Sequence, residues 1–148
     1  MDLFAVFDIS SAGMSVEQTR LAAAASNLAN ARTSRTADGS PYRPLSVVVQ
    51  STPAAHVNYA DVAASLRADM LPRPVVQNVE QSQAAPRLVY DPGHPDADER
   101  GFVALPPVDT LSTMLDLVAV SRGYEANLRA FDLTRSLIER TLDMGNRR

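Results

Sequence analysis

All ten prolines of the chain fall between Pro41 and Pro107, leaving two proline-free ends around a broken, turn-rich middle. Proline removes a helix hydrogen bond and clashes with the preceding turn, so long helices are confined to those ends. The apolar residues agree with this division. Phe7, Met14, Leu21 and Leu28 recur every seventh residue in the first end. Leu117, Tyr124, Phe131 and Ile138 do so in the second, with Met114, Leu128 and Leu142 on the alternate seam. That period predicts coiled-coil-like stripes, which need partner helices, in place of strands.

A helix over 108–144 would run on the order of 55 Å, whereas a compact chain of this length has a radius of gyration of only about 15 Å. An elongated molecule is therefore expected. Either the two helices pair as an antiparallel hairpin, or their stripes wait for another subunit to cover them. The hydrophobic fraction of 45% allows a core, but aromatic residues make up only 5% and Trp is absent. Alanine-rich helices of this kind predict a thin core in which backbones approach along small side chains.

The spacing predicts a first helix over roughly 9–31, which Leu3, Phe4, Val6 and Phe7 either extend or precede as a loose segment until docked. Gly13 inside it costs about 1 kcal/mol against Ala, and weak nucleation predicts a poorly ordered N-terminal part in a free monomer. Residues 32–41 read as a loop. Segments 45–50, 75–79, 88–90 and 102–105 suit strands of one small antiparallel sheet. Between them, Val62, Leu66 and Met70 fit a short amphipathic helix or a mobile insertion over 59–70, ended by Pro72 and Pro74. The last helix is expected to open at Asp109 as N-cap and to close at Gly145, with Arg147 and Arg148 near its negative end. Glu125 and Arg129 form an i,i+4 pair on it. The expected fold is α+β: a helical segment 1–36, a Pro-rich β-containing middle 37–107 and a long C-terminal helix 108–148.

A net charge of −3, with the positive residues scattered among acids, offers no footprint for nucleic acid. No cysteine is present, which removes disulfides, thiolate catalysis and Cys-type zinc sites. No segment has the apolar length to span a bilayer, and the start lacks the pattern of a cleaved signal peptide. Neither a nucleophile elbow, a phosphate loop nor a dinucleotide fingerprint occurs. No enzyme activity, cofactor or small-molecule substrate is expected.

The segment from Asp91 to Asp98 gathers carboxylates and His94, one of two histidines. A calcium loop starting at Asp96 fails, because Arg100 stands at a ligand position and Pro107 where the bidentate Glu belongs. A metal-dependent hydrolase using Asp91, His94, Asp96 and Asp98 would need further ligands, yet the other histidine is the distant His56. The alternative is consecutive turns whose Asp side chains cap backbone amides. Ser121 and Arg135 interrupt the alternate seam, either fixing register or marking a solvated stretch. Tyr124 needs a hydroxyl partner if buried. A soluble helical adaptor binding one partner in a groove is a further reading of the same stripes.

Two stretches resemble a known family. Ala24-Ala25-Ser26-Asn27-Leu28-Ala29-Asn30-Ala31 resembles the N-terminal signature of bacterial flagellar axial proteins, and Ser121-Arg122-Gly123-Tyr124-Glu125-Ala126-Asn127 their C-terminal counterpart. Asp38-Gly39-Ser40-Pro41-Tyr42-Arg43 and the run from Val89 to Asp98 are similar to the proximal rod proteins within it. Relative to that pattern, 59–71 reads as an insertion. The resemblance implies a structural subunit of the basal-body rod in the periplasm, exported without a cleaved signal through the flagellar type III apparatus. Its partners would be itself and other rod proteins. It also implies that the stripe residues, with Asn27, Asn30 and Asn127, form the assembly interface; Asn27 and Asn30 either bond backbone groups at the helix end or cross to a neighbouring subunit.

Overall fold

The computed structural model describes residues 3–51 and 72–146. The expected helix or insertion at 59–70, His56, and the terminal pair Arg147 and Arg148 lie outside the described residues. The chain order is α1 (Leu3–Ala29), β1 (Leu45–Ser51), β2 (Pro74–Gln81), β3 (Arg87–Tyr90), β4 (Phe102–Leu105) and α2 (Thr110–Asn146), an α+β arrangement with a helix at each end.

Helix α1 begins at Leu3, so the apolar residues before position 9 extend it, the first of the two expected outcomes, since nothing in that run breaks the helical period. Helix α2 is capped as expected: the Asp109 carboxylate accepts the Leu111 amide at 3.1 Å, and the Asp109 carbonyl accepts that of Thr113 at 2.9 Å. Glu125 and Arg129 approach to 3.7 Å, and Arg135 with Glu139 to 3.0 Å, on its exposed surface. Gly145 does not close this helix, which continues through Asn146. The positive-φ glycines among the described residues are Gly39 and Gly101, so Gly145 does not form a left-handed stop.

The four strands form two two-stranded sheets, β1 with β2 and β3 with β4, instead of the single sheet expected. The Ser82 amide closes the first pair onto the Pro44 carbonyl at 2.7 Å, and β3 starts directly after Pro86, which has no N–H to continue a ladder. In the second pair, Val89 faces Val103 and Tyr90 faces Phe102 in antiparallel register.

The contacts divide the chain into two compact units. In the first, drawn from 3–19, 49–51, 72–77 and 120–146, the two helices run antiparallel. The Phe7 ring meets Phe131 edge-to-face, with centroids 4.4 Å apart and planes at 84°. Further along, Gly13 lies against Asn127, and Glu17 against Gly123. A Cβ at Gly13 would stand 2.9 Å from the carbon, nitrogen and oxygen of the Asn127 carboxamide. One at Gly123 would stand 3.3 Å from the Glu17 carboxyl carbon. Ala5, Ser10, Val16 and Thr134 are buried, and the Thr134 hydroxyl is satisfied by the Ala130 carbonyl at 2.8 Å. Arg73 pairs with Asp8 at 3.3 Å.

The second unit, drawn from 20–48 and 78–119, buries Ala23, Ala31, Val103 and Pro106. Strand alternation turns Val103 inward and leaves Leu88, Tyr90 and Phe102 outward, the two rings in edge contact at 5.3 Å. Gly101 has φ of 80°, and a Cβ there would lie 2.9 Å from Tyr90 Cε2. No other residue type fits that reversal without strain.

Each buried side chain named here is small or medium, as the composition implies. Gly13 is therefore more than a propensity cost: it lets the helices close. Gly13→Ala is expected to destabilise the chain by about 1 kcal/mol, since overpacking the Asn127 amide outweighs the gain in helix propensity. Gly123→Ala should cost less than that, because a Cβ there would meet the Glu17 carboxyl carbon at 3.3 Å, against 2.9 Å for the Asn127 carboxamide at Gly13. Urea unfolding of the two variants checks the ordering.

Candidate functional site

The end of α1 must release the chain toward β1 while satisfying its last carbonyls. Asn30 does the first part. Both its backbone amide and its side-chain Nδ2 donate to the Ser26 carbonyl, at 3.0 and 2.9 Å. Its Oδ1 accepts the Thr33 hydroxyl at 3.1 Å, fixing the loop that follows.

One turn earlier, Asn27 reaches the start of β1. Its Oδ1 accepts the Leu45 amide at 2.7 Å, and its Nδ2 donates to the Leu45 carbonyl at 2.8 Å. A carboxamide carries the same donor and acceptor as a peptide group, so Asn27 pairs with Leu45 as a neighbouring strand would. The same Oδ1 accepts the Tyr42 hydroxyl at 3.0 Å, which also lies 3.1 Å from Ser26 Oγ. The Tyr42 amide donates to the Thr33 carbonyl at 3.1 Å. Asp lacks the donor and Leu lacks both groups. The amides of Asn27 and Asn30 are thus engaged with backbone groups of their own chain.

The Asp91–Asp98 segment is a series of turns. Asp91 Oδ1 accepts the Gly93 amide at 3.3 Å, and Asp98 Oδ1 accepts those of Arg100 and Phe102 at 2.9 and 2.8 Å. His94 Nδ1 accepts the Asp96 amide at 3.0 Å. The Asp96 carboxylate accepts the Ser34 hydroxyl at 2.7 Å and pairs with Arg35 Nε at 3.0 Å, tying this segment to the loop after α1. These carboxylates cap amides and brace a loop, as the turn reading has it. Among the described residues no three His, Asp or Glu side chains are placed to hold a metal ion.

The stripe residues divide. Phe7 and Phe131 meet; Met14, Leu28, Leu117, Asn127 and Ile138 are half-buried. Leu21, Met114, Tyr124, Leu128 and Leu142 are exposed, the last at 66%. On α2 the covered seam continues through Val120, Asn127 and Thr134, one side of the predicted line, and the Met114, Leu128 and Leu142 side faces outward. Ser121 and Arg135 on that outward seam are solvated, Arg135 through its Glu139 pair. On α1 the buried line is Val16 and Ala23, not Leu21. Heptad spacing treats the two flanks of a stripe alike; small residues at Gly13, Gly123 and Thr134 decide which flank can approach. Leu111, Leu115, Val118, Leu133, Leu137 and Met144, none of them on the predicted stripes, are exposed as well.

The site consists of polar side chains directed at the chain's own backbone, beside helices that keep apolar flanks outward. Curated relatives place it more closely. The chain is 38% identical over 145 residues to a flagellar basal-body rod protein FlgC of Aquifex aeolicus, covering 97% of each. It is 39% identical to that of Escherichia coli O6:H1 and 31% identical to that of Bacillus subtilis, covering 98% of this chain and 99% of the relative in both cases. No family model matches. The chain belongs to the FlgC family of flagellar basal-body rod proteins.

Replacing Asn27 by Asp removes the donor to the Leu45 carbonyl and sets a negative charge beside it, with an expected loss of about 2 kcal/mol. Tyr42→Phe keeps the ring and loses only the hydroxyl, at an expected cost of about 1 kcal/mol. Equilibrium unfolding in urea should rank them in that order.

Proposed function

We propose that this chain is a structural, non-enzymatic subunit of the bacterial flagellar basal-body rod, built into a tubular helical array in the periplasm by its terminal helices. The observation that carries the reading is the outward apolar flank of α2. Met114, Leu128 and Leu142 continue the heptad stripe yet remain at least 40% exposed. A second flank with Leu133, Leu137 and Met144 is equally uncovered. A helix that pairs on one seam and keeps apolar flanks beside it is suited to coiled-coil-like contacts with further helices.

Contacts of this kind propagate when they join different faces of successive subunits, giving an open helical assembly in place of a closed dimer. The partners are other copies of the chain and the neighbouring rod proteins, and delivery is by the flagellar type III export apparatus. The assembly residues are Phe7, Met14, Leu21, Leu28, Leu117, Tyr124, Asn127, Phe131 and Ile138 with the outward seam. The middle of the chain, 41–107, is the outer part of the subunit and meets neighbouring rod proteins. In support, no helix among the described residues is long and apolar enough to cross a membrane, and the relatives matched over nearly their whole length are named as rod proteins.

Leu128 separates assembly from folding, since it is exposed whereas Phe131 packs against Phe7. Leu128→Asp is expected to leave the helical circular dichroism of the free chain unchanged and to abolish swimming and rod formation in cells carrying only the variant. Normal motility would remove the outward flank from the interface. A helical monomer that binds a single partner in solution, with the rod intact, would support an adaptor instead.

A further inference from the structure

His94 sits half-buried in the second unit, within turns held by its own backbone: its amide donates to the Asp91 carbonyl at 3.2 Å, and its carbonyl accepts the Ala97 amide at 3.0 Å. Its Nδ1 accepts the Asp96 amide at 3.0 Å, a bond that exists only while that nitrogen carries no proton. The residue it orients is the one that holds two segments together. Asp96 grips Ser34 through Oδ2 and Arg35 through Oδ1. Of the neighbouring carboxylates, Asp91 caps the Gly93 amide and Asp96 binds Arg35, brought in from the loop after α1. Asp98 is turned away, to the amides of Arg100 and Phe102.

We propose that His94 is a proton-operated catch on the loop that follows α1. The unprotonated Nδ1 fixes the Asp96 turn, and the carboxylate holds Ser34 and Arg35. When a proton from solvent binds Nδ1, the nitrogen becomes a donor facing another donor, and the Asp96 amide loses its partner. The imidazolium then turns to the Asp96 carboxylate and displaces Arg35 and Ser34 from it. A proton on Nδ1 thus opens this joint between the two segments, while the Asn27 pairing with Leu45, which contains no histidine, stays closed. The inference does not depend on the rod reading.

The test is a titration of the full-length, nitrogen-15-labelled chain between about pH 8 and pH 5, following the Ser34, Arg35 and Asp96 amides and the imidazole nitrogens. The three amides should shift together with one midpoint, which the imidazole shares, and hydrogen-exchange protection of Asp96 should fall on the order of tenfold. His94→Asn keeps an acceptor oxygen near the place of Nδ1 without titrating, so its amides should hold the neutral-pH positions throughout. His94→Ala should show the opened positions at both ends of the range. Flat amides in the parent, or His94→Asn following the parent, would overturn the proposal. Should either variant fail to fold, the parent's imidazole spectrum still decides: Nδ1 carrying the proton at neutral pH is incompatible with the catch.

Discussion

The contact of α1 with α2 at which Gly13 lies under the Asn127 carboxamide sets the terms for the first unit. Gly13 and Gly123 lie at the contact, and Ala5, Ser10, Val16 and Thr134 are the buried residues of this unit, so the helices pack along small and medium side chains. The aromatic pair Phe7 and Phe131 fills the space farther along, where the helices admit a ring. Choosing this seam has a consequence on the other side of α2. Met114, Leu128 and Leu142 stay outward, and the surface from which we infer assembly is what the glycine contact leaves uncovered.

A second kind of order holds the polypeptide where it leaves α1. Asn27 pairs with the Leu45 peptide, Asn30 ends the helix, Tyr42 ties Asn27 to Ser26, and Asp96 draws in Ser34 and Arg35. These are side-chain amides, hydroxyls and a carboxylate serving backbone groups that would otherwise be left without partners. The two-stranded sheets are too small to fix the path of the chain alone. Short polar bridges supply the direction that a larger sheet would give.

Much of this was legible in the residues. Proline placement and heptad spacing located both helices, Asp109 announced the start of α2, and the turn residues from Asp91 to Gly101 announced turns. The strands were visible but not their partition into two sheets, since partner choice depends on which backbone groups meet across loops. The stripes were visible but not the side on which they pack. Leu21 and Ala23 illustrate the difference: hydrophobicity favours burying the larger residue, yet Ala23 is buried and Leu21 is exposed. Gly13 was noticed only for its cost to the helix, although that cost was itself the sign of a contact.

By itself, the sequence determined what each segment can become, because helical period, proline exclusion and capping act between residues a few positions apart. It also marked Asn27 and Asn30 as part of a signature. Only the tertiary structure decided what those residues hold and which flank of α2 stays uncovered. The reason is physical: hydrogen bonds such as Asn27 to Leu45, and clearances such as Gly13 to Asn127, join residues far apart in the chain, and their geometry exists only once the backbones have come together.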